Sequence, residues 1–127
     1  MTCLWNSLIK AIKDEDFKIY MKNPHPSPEQ FVVFLKKSNK LCSDVSHNGK
    51  LLTIKEYKEN LEAINNLNPR SIYRGYDCSS CDPVLLLVSH IFRIKIDHLY
   101  NGSLITYTPT SYRYGIKLHS SKTHMWA

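Results

Sequence analysis

The sequence predicts an α+β fold, with helices first and a small, mainly antiparallel sheet at the C-terminal end packed against them. Three observations carry this. Apolar residues recur at helical spacing in segments up to about residue 92. From residue 93 onward the period switches to two. "NG" at 101–102 then separates two alternating runs, a strong hairpin signal.

The first helix is expected from about Cys3 to Lys13, because Leu4, Trp5, Leu8, Ile9 and Ile12 share one face. A short second helix over Glu15 to Met21 ends before "NPHPSP", whose three prolines forbid regular structure. Ser27 as N-cap, Pro28 at the first helical position and Gln30 three residues after the cap announce a third helix, with Phe31, Phe34 and Leu35 facing inward. "SDVSHNGK" reads as a loop. Thr53 and Glu56 repeat the capping pattern and start a fourth helix that buries Tyr57, Leu61 and Ile64. Asp82 and Pro83 open a fifth, carrying Val84, Leu87, Val88 and Ile91. "RIKIDHLY" and "SLITYTP" are the two hairpin strands, and "YGIKLH" and "THMWA" read as two further short strands.

At 127 residues the chain is expected to be one domain, 1–127, large enough to bury a core without disulfide staples. Its 43% hydrophobic and 22% charged residues exclude a disordered chain. The longest apolar run, Val84 to Val88, falls far short of the roughly 20 residues that span a bilayer, so no membrane partner is expected. No signal-peptide pattern is visible, which points to a cytosolic or nuclear chain with four reduced cysteines. The net charge of +6 comes from lysines dispersed along helix faces and mixed with glutamates. That pattern reads as a solvated surface rather than a nucleic-acid stripe.

Cys3 is the residue whose position raises a chemical question. A thiol at a helix N-terminus meets unpaired backbone N–H groups and the positive end of the helix dipole, both of which favour the nucleophilic thiolate. Such a nucleophile needs a histidine base close in space. The ordinary alternative is a terminal cysteine that happens to precede a helix.

The order of elements bears on that choice. "TCLWNSLIKAI", a late "DPVLLLVSHIFRIKIDHLYNGSLITYTP", "GIKLH" and a closing "THMWA" together resemble the OTU (ovarian tumour) cysteine peptidases. In that family a cysteine followed by Leu and an aromatic residue opens a helix, and a His followed by an aromatic residue ends the sheet. The likeness covers the first dozen residues and the last fifty or so; residues 14–70 carry no family signature. It implies Cys3 as nucleophile and His124 as general base. It also implies an oxyanion hole including the Cys3 backbone N–H, no cofactor or metal, and ubiquitin or a ubiquitin-like modifier as partner. The activity implied is that of a deubiquitinase, resembling compact viral members, acting in the cytoplasm of a host or cutting its own polyprotein. Trp5 and Trp126 are candidates to shape the site, Trp5 equally a candidate for the core.

Two departures leave alternatives open. The family's nucleophile follows Asp-Gly-x, whereas here Met1-Thr2-Cys3 shows no Asp-Gly, and no third triad member is visible after His124. An upstream segment, a Cys–His dyad, or a catalytically impaired copy that binds ubiquitin or another protein all fit. His119 is the main rival for the base, and His90 and His98 are lesser ones. "CSSC" at 78–81 has the spacing of half a zinc site, with Cys42, His47, His90 or His98 as further ligands, or of a redox pair. A small zinc-assisted nucleic-acid module is the reading from a third class.

Overall fold

A computed structural model describes residues 3–70, 81–121 and 125–126, with the backbone alone at Cys3 and Trp126. Its helices are α1 (Cys3–Ala11), α2 (Asp14–Met21), α3 (Pro28–Lys37), α4 (Ile54–Asn65) and α5 (Asp82–Phe92). Its strands are β1 (Val45–His47), β2 (Ile94–Tyr100), β3 (Ser103–Pro109), β4 (Tyr114–Ser120) and β5 (Met125–Trp126). The fold is α+β, as the change of period predicts, and among the described residues no helix is long and apolar enough to cross a membrane.

Helix starts follow local chemistry. Ser27 Oγ accepts from the Gln30 N–H at 3.2 Å while Gln30 Oε1 accepts from the Ser27 N–H at 2.9 Å. Thr53 and Glu56 form the same reciprocal pair at the head of α4. Each box satisfies two donors that a helix start otherwise leaves open. Tyr57 then ties α4 to the sheet, its hydroxyl donating to Val45 O at 2.7 Å and accepting from the Leu52 N–H at 3.0 Å.

The sheet has strand order β1-β3-β2-β4-β5. β2 and β3 form the predicted hairpin through Asn101 and Gly102, both at positive φ. β4 crosses to the other side of β2 and runs parallel to it; the other pairings are antiparallel. Ile94, Ile96, His98, Tyr107, Ile116, Leu118, Ser120 and Met125 alternate onto one face and are buried beneath the helices. α5 supplies most of the cover, with Val84 through Ser89 buried without interruption.

"SDVSHNGK" is not simply a loop. Val45–His47 pairs with Tyr107–Pro109 as the edge strand β1, and Asn48-Gly49 turns the chain back to Lys50 with φ of 52° and 79°. Three residues with one apolar side chain give no readable alternation, so the strand depends on β3 for its existence. The Asn-Gly pair was the available signal.

Candidate functional site

α1 begins at Cys3 with no acidic residue in its first turn, so the positive end of its dipole is not offset by a local carboxylate. The apolar stripe Leu4, Trp5, Leu8 and Ile12 anchors the helix in the core. Trp5 is fully buried and meets Phe31 edge-on at 6.3 Å, so it is a core residue. One turn beyond Cys3, buried Ser7 donates from Oγ to the carbonyl of Met125 at 3.2 Å. β5 thus lies against the helix that Cys3 opens, and is held on its other side by β4 through Ser120↔Met125 and His119↔Trp126. Met125 directly follows His124 in the chain. His124 itself, residues 71–80 with Cys78, and the segment before Cys3 lie outside the described residues.

The other histidines are engaged elsewhere. His119 sits between buried Leu118 and Ser120 on β4, which places it on the open face of the sheet, away from α1. His90 Nδ1 lies 2.6 Å from Asp44 Oδ1, and Arg93 donates to the other oxygen of that carboxylate at 2.9 Å. His47 Nε2 stands 3.6 Å from Asp82 Oδ2, and the Tyr107 hydroxyl donates to Asp82 Oδ1. His25 pairs with Asp14 at the surface.

His98 has a role that the sequence did not reveal. It occupies the buried register of β2 after Ile94 and Ile96, with Nε2 hydrogen-bonded to Ser120 Oγ at 2.5 Å and Nδ1 3.8 Å from the Cys81 thiol. Ser120 is the ladder partner of Met125, so this buried contact stiffens the strand end on which β5 pairs. The parity of position 98 with Ile94 and Ile96 was the signal. Burial holds the His98 pKa below its ordinary 6.5, against an opposing pull from Asp82. The unfolded chain therefore binds a proton more readily than the native one, and stability is expected to fall as pH drops below 6.5 towards the native pKa. Urea midpoints between pH 7.5 and 5 should decline more steeply for wild type than for His98→Asn.

Of the remaining cysteines, Cys42 and Cys81 are buried. Burial, reinforced by the Asp44 carboxylate, raises Cys42 to about 12, so it stays a protonated thiol at neutral pH. Cys42 donates to Lys40 O at 3.4 Å, Cys81 faces His98 and His47 faces Asp82, so these three zinc candidates turn to different partners. Among the described residues, no group of three or more His, Cys, Asp or Glu side chains is placed to hold a metal.

Comparison of the chain with protein-family models, curated proteins and solved structures finds no match.

Proposed function

We propose that this chain is an OTU-like cysteine protease, a deubiquitinase that hydrolyses the isopeptide bond after the Gly-Gly tail of ubiquitin or a related modifier. The observation that supports it best is the Ser7–Met125 hydrogen bond, which seats the strand following His124 on the helix that Cys3 opens. The elimination of rivals adds to this: Cys42 and Cys81 are buried, and His90 and His98 are turned to other partners.

In this reading His124 takes the Cys3 proton, and the thiolate attacks the isopeptide carbonyl. The Cys3 backbone N–H and a donor from the preceding loop stabilise the oxyanion. His124 then protonates the leaving lysine amine, and water activated by the same imidazole hydrolyses the acyl-enzyme. The protein would act in the cytoplasm, against host ubiquitin signalling if it is viral. A catalytically impaired ubiquitin-binding relative is the second reading, favoured by Met1 at the position where the family has the glycine of its nucleophile loop.

Release of a fluorophore amide-linked to the C-terminus of ubiquitin separates the two. Turnover by wild type that is lost in Cys3→Ala supports the protease. Ubiquitin binding without turnover supports the impaired relative.

A further inference from the structure

Dispersed in sequence, four cations gather in space. A hollow of about 670 Å³ between α2, α3 and the end of α5 is lined by Tyr20, Phe34, Lys37, Lys40, Ile91 and Arg93, among others. A second hollow of about 300 Å³ shares Tyr20 and Arg93 with it and adds Tyr112 and Arg113. Among the described residues, no acidic side chain lines either one. The larger volume falls within the roughly 300–1,000 Å³ of small-ligand sites.

The two arginines are braced from behind. Arg93 donates from Nη1 to Asp44 Oδ2 at 2.9 Å, and Arg113 from Nη2 to Asp16 Oδ1 and to Phe92 O, each at 2.9 Å. The Arg113 N–H also bonds to Arg93 O at 3.0 Å, setting the two residues side by side. Each guanidinium is thereby oriented while keeping N–H groups of its fork for another acceptor, the geometry that suits phosphate. Capping the end of α5 accounts for the bond to Phe92 O. It does not account for the two lysines and three rings around it. Tyr20 and Phe34 are held against Phe92 at centroid distances of 5.2 and 6.0 Å, and Tyr112 is half exposed.

We infer that this groove binds a nucleotide, free or within a single strand, with phosphate on the Arg93–Arg113 pair and the lysines and the base against the tyrosine rings. Aromatic faces interleaved with cations favour this over an acidic peptide, which asks only for charge. The site is separate from the candidate catalytic one. Arg93 and Arg113 immediately precede the first residues of parallel β2 and β4, whereas β5 pairs with the last two of β4. At roughly 3.3 Å per residue the two sites lie about 20 Å apart.

Fluorescence anisotropy with a labelled short single-stranded RNA and, separately, a fluorescent ATP analogue tests this and distinguishes the two sources. At least one probe should bind wild type. For the strand, four cations imply a log–log salt slope near about −3. Lys37→Gln/Lys40→Gln should weaken binding by roughly 10-fold or more at low salt and reduce the slope by about 1.4. Tyr112→Ala should also weaken it, and all three side chains are exposed enough to change with the melting curve intact. Cys3→Ala should bind as wild type does, which keeps this result independent of the catalytic proposal. Binding of neither probe, equal competition by polyglutamate, or wild-type affinity in the lysine and tyrosine variants would each overturn it.

Discussion

Phe92→Ala is expected to cost about 3–5 kcal/mol, a large part of the 5–15 kcal/mol margin of a typical domain. Phe92 closes α5 with no exposed surface and is the ring on which three helices meet. Phe17 and Tyr20 of α2 approach it edge-on at 5.6 and 5.2 Å, and Phe31 and Phe34 of α3 lie tilted to it at 6.3 and 6.0 Å. Phe17 and Phe31 also contact each other at 5.6 Å, and Phe31 continues to Trp5 of α1. Truncation removes transfer free energy, leaves a cavity that four surrounding rings cannot jointly fill, and loses edge-to-face contacts. Guanidinium unfolding should show a much lower midpoint with an unchanged slope. Phe92→Leu, which keeps most of the volume, should lose distinctly less.

The second large effect concerns the chemistry. If His124 is the base, His124→Ala should lower the rate of ubiquitin-amide hydrolysis by about 10²–10⁴-fold at saturating substrate, with an unfolding midpoint near that of wild type. His119→Ala should leave that rate close to wild type, because His119 lies on the sheet face turned away from α1. The paired result separates the two histidines that sequence spacing alone left in competition. A deep loss in His119→Ala with little loss in His124→Ala would reverse the assignment.

How far the fold was legible depended on whether its determinants were local. Ser27 and Thr53 announced their helices because a capping box lies within four residues and leaves its signature in sequence. Asn101-Gly102 announced the hairpin for the same reason: few residue pairs accept consecutive positive φ angles. Asn48-Gly49 carried the same signal, but Val45–His47 is too short to alternate and becomes a strand only against β3. The first residue of β2 was legible only to within one position. Arg93 looked like the start of a strand and is instead a left-handed helix cap at φ 56°. The parallel pairing of β2 with β4 was not legible, since nothing in either strand specifies the side on which a third will dock.

At the candidate site, the helix dipole at Cys3 could be read from sequence, because it follows from position alone. The contact between β5 and α1 could not. Ser7 and Met125 are 118 residues apart, and only the folded sheet brings them together. The same holds for the His98–Ser120 pair and for the groove around Arg93 and Arg113. Lys37, Lys40, Arg93 and Arg113 each look like unremarkable surface charge until α3, α5 and the start of β4 converge.

The central claim is that Cys3 is a nucleophile directed at the C-terminus of ubiquitin. Intact-protein mass spectrometry after incubation with ubiquitin bearing a C-terminal electrophile tests it most directly, on wild type and Cys3→Ala. One ubiquitin adduct on wild type, mapped to Cys3 and absent from the variant, is the expected result. A folded wild-type protein that forms no adduct, or one that labels equally well without Cys3, would contradict it.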